Sequence, residues 1–425
     1  MARLRNQFIA SISVLILSAC SQNFIIQEPV VITGYDPEFQ IESTSLYEQP
    51  PGQFDQVEEK DVILVEDTVP EAAPAQIPTI KIIKPIYEEV SGSSEVIGLN
   101  GFPENVNPIT GLEVSEPQNL LRRPVMIKVS NFPRSGRPHA GLSRADIVFE
   151  YYIGEEMNRF LAVFYGDNSN HVGPLRSGRL IDPQLVNLYG GILVYGSADP
   201  KVDVVIKRKL DDKAITHLTA TCPPICGDDT HSVSGVFVDS GEITKFVQRK
   251  GMDNQVPDNF GTIFDPVPPE ESYFGINIGV EYSIRNRGEW HYEAESGKYL
   301  RWIEEEAGSF GQIPMIPLVD RNNGQQISFS NVIVLFSTYI EYAPTLHDVL
   351  INANTHGQKA LFFRDAVMVE GSWKIFDNNT PIQFYNQYGL PYALKPGNTW
   401  IIIAGVSSTM SQINEGNWEM QFKIP

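Results

Sequence analysis

The chain has 425 residues, 42% of them hydrophobic, with 52 Asp or Glu against 32 Lys or Arg and a formal net charge of −20. That length holds two ordinary domains with extensions. The acidic balance argues against nucleic acid as a partner.

Arg3 and Arg5 precede an apolar run from Phe8 to Leu17, and Leu17-Ser18-Ala19-Cys20 closes it. A charged start, a short apolar core and small residues before a break point are the parts of a secretory signal. The core is too short for an ordinary transmembrane helix. Leu-Ser-Ala-Cys resembles the bacterial lipobox, which implies that residues 1–19 are a lipoprotein signal peptide and that Cys20 is lipidated. Two acyl chains on Cys20 would anchor firmly where one is marginal; the alternative is a plainly cleaved signal. Residues 20–104 then read as the lipidated Cys and an extended tether. Between Ser21 and Asn100 there are 15 Asp or Glu, 3 Lys and 8 Pro. Such a stretch buries too little surface to offset its chain entropy, and charge repulsion and proline stiffen it.

Residues 105–255 alternate strands with helices, the pattern of a mixed α/β layered domain. Strands are expected at 125–130, 147–153, 159–166 and 192–197, and a short helical turn at 142–146. Helices are expected at 175–190, at 199–210 and from Asp239 onward. Residues 256–271 read as a linker. From 272 to 410 strand-like runs follow one another, separated by turn residues such as those at 377–379 and 395–397. This half is expected to be a mainly antiparallel β domain, with 411–425 as a tail. The fold class expected is α+β with two domains.

NPITGLE (107–113), RPVMIKVSN (123–131), RPHAGLSRADIVFE (137–150), RFLAVF (159–164) and GPLRSGR (173–179) occur in this order. GQKALFFRDAVMVEGSW (357–373) and LKPGNTWI (394–401) follow. Together they resemble the YerB-like bacterial lipoproteins across the whole folded part. The resemblance implies an extracytoplasmic lipoprotein with an α/β N-terminal and a β-rich C-terminal domain, and it implies no reaction. The chain departs from the family pattern at His231-Ser232, where His-Asn is usual, and at TCPPICGDD (221–229). If that loop lines a site, the departure implies a different ligand preference.

Candidate site residues come from several places. Gly173-Pro174 makes a turn, and a helix starting near Arg176 would offer free N–H groups to an anion. Arg176 and Arg179 share one face of such a helix, where two guanidinium forks can hold a carboxylate or phosphate. The alternative is internal pairing with Asp146, Glu150, Glu155 or Glu156. Asn131 and Arg137 lie in a turn-rich loop after a strand, a favoured place for sites. Ser197 and Asp199 follow a strand and open a helix, where they either cap it or meet a ligand. Arg159 and His231 complete the candidate ligand-binding set.

Glu150, inside an apolar strand, is either solvated or paired with a base such as Arg159. If buried, its pKa would rise as an acid catalyst requires. Asp146 is a turn cap or a second acid. Cys222 and Cys226 are expected to form a disulfide in an oxidising compartment; the alternative is a zinc pair with His217 and His231. Trp290, Trp302, Trp373 and Trp400 are expected in the sheet core, with a glycan-stacking surface as the alternative. No metal and no cofactor are expected.

The leading expectation is a lipid-anchored cell-envelope protein that binds or scaffolds without catalysis. Its partners would be the membrane, through Cys20, and an anionic small ligand or an envelope protein. The alternatives are an envelope hydrolase acting on a glycan or peptide through Glu150 or Asp146, and a structural spacer.

Overall fold

A computed structural model describes residues 96–228, 234–257, 262–270, 272–305 and 313–424. Cys20, the signal segment and His231 lie outside the described residues. In the N-terminal half the elements are β1 (Val125–Ser130), β2 (Ile147–Gly154), β3 (Met157–Phe164), α1 (Asp182–Leu188), β4 (Ile192–Tyr195), α2 (Pro200–Leu210), β5 (Ala214–Thr216) and α3 (Ser240–Lys250). The C-terminal half adds β6 (Asn277–Ser283), β7 (Asn286–Glu293), β8 (Lys298–Glu304), β9 (Asn331–Ser337), β10 (Gln358–Arg364) and β11 (Val367–Lys374). It continues with β12 (Gln383–Asn386), β13 (Thr399–Gly405), β14 (Thr409–Asn414) and β15 (Asn417–Gln421).

All six residues of β1 and all seven of β9 and β13 are buried. Apolar residues on both sides of a strand suit a sheet covered on both faces. These strands form the middle of a large mixed sheet in the order β12-β11-β10-β9-β13-β2-β3-β1-β4-β5. Its centre is the parallel pairing of β13 with β2 on one side, Ile147 opposite Thr399, and with β9 on the other. The N-terminal and C-terminal halves therefore share one sheet. A second sheet holds β8-β7-β6-β15-β14, with β6 and β15 parallel.

Successive side chains along a strand point to opposite faces. Val125, Ile127 and Val129 enter a core with Ile278 of β6, Trp290 of β7 and Val247 of α3. Met126 enters the core on the other face, with Leu185 of α1 and Ile206 of α2. The second sheet thus packs on one face of the first. Strands far outnumber helices among the described residues, and no helix there is long and apolar enough to cross a membrane.

Several expectations are corrected. The N-terminal half is not a self-contained α/β layer, because β13 completes its sheet. The C-terminal half keeps the mainly antiparallel pairing expected of it, but β13 adds parallel pairing on both of its sides. Residues 411–425 are not simply a tail: β14 and β15 extend the second sheet. The linker is partly tied down, with Ile263–Phe264 pairing with Ala393–Leu394 and Phe264 bridging Ile97. The helix expected at 175–190 is reduced to α1. Leu175 instead bridges Val129, and the Arg176 N–H donates to the Lys128 carbonyl at 2.9 Å. Pro183 in the first turn marks the true helix start, a position proline favours.

Candidate functional site

The extended segment after Pro174 runs along the end of β1 and is tied to the turn after β4. Gly178 N–H donates to the Ser197 carbonyl at 2.8 Å, and Gly196 N–H to the Arg176 carbonyl at 2.9 Å. Ser177 and Ser197 bring their hydroxyls to 3.3 Å. Arg176 and Arg179 therefore project from a strand-like segment rather than a helix face, at the C-terminal ends of parallel β1 and β4. That is where open α/β sheets place ligands.

Arg159 arrives from β3. Its Nη1 donates to the Ser177 carbonyl at 2.9 Å, and its Nε is buried without a partner. Arg176 Nε donates to Ser130 Oγ at 3.1 Å. Arg179 Nη1 donates to the Gly178 carbonyl at 3.1 Å, and its Nε is also buried without a partner. Among the described residues none of the three guanidiniums forms a salt bridge. Beneath them Lys128 is fully buried, 3.2 Å from Asp182 and in contact with the Tyr151 hydroxyl, which also meets Asp182. The other Asp182 oxygen accepts the Arg179 backbone N–H at 2.6 Å. Asp199 caps α2, accepting from Lys201 N at 2.9 Å, and lies within electrostatic range of Arg179.

Four cations thus face two carboxylates. Burial, then Arg179 and Arg176, pulls Arg159 below the ordinary arginine value. Burial does the same to Arg176 and Arg179. Burial, against the pull of Asp182, brings Lys128 down to about 7. Partly desolvated guanidiniums that outnumber their counter-charges are unfavourable until an anion answers them.

Other sequence candidates lie elsewhere. Arg137 is 2.9 Å from Glu304, which also takes Arg134 at 3.1 Å. Its Nε donates to Asn131 Oδ1 at 3.1 Å, and Asn131 donates to Asn158 at 2.6 Å. Asn158 in turn donates to Glu150. The expected pairing of Glu150 with Arg159 is corrected. Glu150 stands opposite Phe160 and Arg159 opposite Tyr151, so the two side chains leave opposite faces of the sheet.

Glu150 meets instead Trp400 Nε1 at 2.8 Å and Arg301 at 3.3 Å, all fully buried. Asp146 is buried between Asn107 Nδ2 at 3.0 Å and the N–H groups of Tyr165 and Gly166, at 2.6 and 3.0 Å. Burial raises it to about 6 against those bonds. Cys222 and Cys226 are joined by a disulfide. Trp290, Trp373 and Trp400 are fully buried, while Trp302 is half-buried and stacks on His291.

The sequence reading missed Lys128, Tyr151, Asp182, Arg301 and Glu304. Lys128 carried a visible signal, a lone cation in the apolar run VMIKVS.

A β-rich protein of two halves joined in one sheet, with an unanswered arginine cluster, is the class that this fold and site define. Residues 109–246 match the family described as Protein of unknown function (DUF3048) N-terminal domain, and residues 278–401 match its C-terminal domain. The chain is 29% identical over 309 residues to "Putative lipoprotein YerB" of Bacillus subtilis (strain 168), covering 70% of this chain and 85% of that protein. The crystal structure of YerB protein from Bacillus subtilis matches with a TM-score of 0.55 and 26% identity, over 70% of this chain and 96% of that one. The chain belongs to this YerB-like family.

Proposed function

We propose that the protein is an extracytoplasmic, lipid-anchored cell-envelope protein, held through Cys20, that binds an anionic group without catalysis at Arg159, Arg176 and Arg179. The anion is carried by a small molecule or by an envelope protein. The observation that carries the reading is the absence, among the described residues, of any carboxylate paired with those three guanidiniums. Ser177 and Ser197 supply neutral donors at the rim. Asn131 and Arg137 are engaged in the Glu304 network and drop out of the ligand set. A hydrolytic role draws no support from Glu150 or Asp146, whose oxygens are enclosed by protein donors.

The test is thermal melting of the full-length protein with inorganic phosphate and with succinate, in wild type and in Arg176→Ala/Arg179→Ala. A ligand that binds only the folded state raises Tm by mass action. The expected result is an upward shift in wild type that the double variant lacks. The double variant should melt no lower than wild type without ligand, because like-charge repulsion is relieved. A lowered melt of the ligand-free variant, with no wild-type shift, would overturn the reading in favour of a structural role.

A further inference from the structure

At the end of β2 and β3 remote from the arginines lies a cavity of about 770 Å³, within the range of about 300–1,000 Å³ usual for ligand pockets. Three stretches far apart in the chain meet around it: 107–113, 143–146 and 395–398. They are tied directly. Gly397 N–H donates to the Thr110 carbonyl at 2.7 Å, and Thr399 N–H to the Asp146 carbonyl at 3.0 Å. Gly397, at φ +141°, presses so closely on Ser330 that a Cβ there would fall 2.0 Å from its Oγ. The residues following β8 complete the wall.

The charges here are mostly answered within the protein. Arg144 pairs with Asp167 at 2.6 Å, Lys395 with Asp365 at 2.6 Å, and Asp146 has its three donors. Among the described residues Lys298 and the exposed Glu113 make no ion pair, one charge of each sign, so the lining offers no net attraction to an ionic ligand. What remains unspent is neutral and mixed in donor and acceptor character. Among the described residues Ser330 Oγ, the Gln325 amide and Gln326 Oε1 have no partner, since Gln326 uses only its Nε2, on the Arg301 carbonyl at 2.8 Å. The apolar side chains of the lining are Leu112, Val114, Ala145 and Pro396, none of them aromatic. Peptide side chains would find no deep apolar socket. A sugar chain carries many neutral hydroxyls, and its acetamido groups both donate and accept, which matches the free amide and hydroxyl groups of this lining.

We propose that this cavity binds a short uncharged oligosaccharide bearing acetamido groups, whose amides pair with Gln325 and Gln326 and whose hydroxyls meet Ser330 and Lys298. The site is independent of the arginine cluster.

The experiment is calorimetric titration of the full-length protein in detergent micelles with the tetramer of N-acetylglucosamine. Wild type should bind saturably, and Lys298→Ala/Gln325→Ala should weaken binding at least tenfold. Neither side chain has a partner among the described residues, so the variant should melt as wild type does. Ser330→Ala, a smaller change, should weaken binding in the same direction. Arg176→Ala/Arg179→Ala should bind the tetramer unchanged, which separates this site from the anion reading. No saturable heat, equal affinity in the cavity variants, or binding of an acidic peptide in place of the sugar would overturn the proposal.

Discussion

Arg301 lays its guanidinium against the rings of Trp290 and Trp400, 5.0 and 5.3 Å from their centroids, with Glu150 at 3.3 Å. The slot exists because residue 288 lacks a side chain: a Cβ there would fall 2.1 Å from Arg301 Nη1. Gly288→Ala is therefore expected to destabilise by about 1–3 kcal/mol, the usual range for overpacking, as read from urea unfolding. Lys128 gives a second prediction. Its folded value of about 7 lies below the ordinary 10.5, so between those limits the unfolded chain holds a proton that the folded one lacks. Stability from this group is then lost on going down through that window and rises as pH rises through it. Unfolding free energies at pH 7 and 9.5 should show this slope in wild type and a flatter one in Lys128→Met. Lys128 could be read from the sequence, because a cation inside an apolar run demands a partner. Arg301 could not. In KYLRWI each alternating set carries one cation, Lys298 with Leu300 and Trp302, Arg301 with Tyr299 and Ile303, so the pattern does not say which set is buried, and the packing of the second sheet on the first decides it.

At the scale of elements, the apolar runs reported strands well, from β1 through β13, because short buried runs bounded by turn residues leave few alternatives. Residues 175–181 were misread for a physical reason. LRSGRL has arginines at helical spacing, yet its backbone groups find better partners in Lys128 and Ser197 than in each other. Pairing between distant elements was not legible either, since local pattern says nothing about which strand lies beside which. One turn illustrates this. Asp320 accepts the N–H groups of Gly141 and Ser143, each at 2.9 Å, and the Ser143 hydroxyl at 2.7 Å. It is fully buried and clamps the 141–144 turn to the C-terminal half. Asp320→Ala should cost about 1–3 kcal/mol for the stranded Gly141 amide alone. Faster hydrogen exchange at Gly141 and Ser143 than in wild type would confirm the clamp; unchanged exchange would refute it.

At the scale of the whole molecule, the family's N-terminal and C-terminal domains are halves of one sheet. Residues 105–255 alone would leave the edge of β2 bare where β13 belongs, and bare edges recruit other chains. That fragment is expected to aggregate or to melt without a cooperative transition. Co-expression with residues 256–425 should restore solubility, checked by co-purification and a single sharp melt. A fragment that melts cooperatively by itself would contradict the shared sheet. The feature also sets an order of events. Glu150 and its partner Trp400 are 250 positions apart, and β13 enters between two strands made long before it. Wherever this chain emerges N-terminus first, its earliest strands must wait with an unzipped seam until nearly the last residues arrive. Folding then closes from the middle, at the slow pace of long-range pairing, and a chain cut short by a few dozen residues is a hazard rather than a smaller protein.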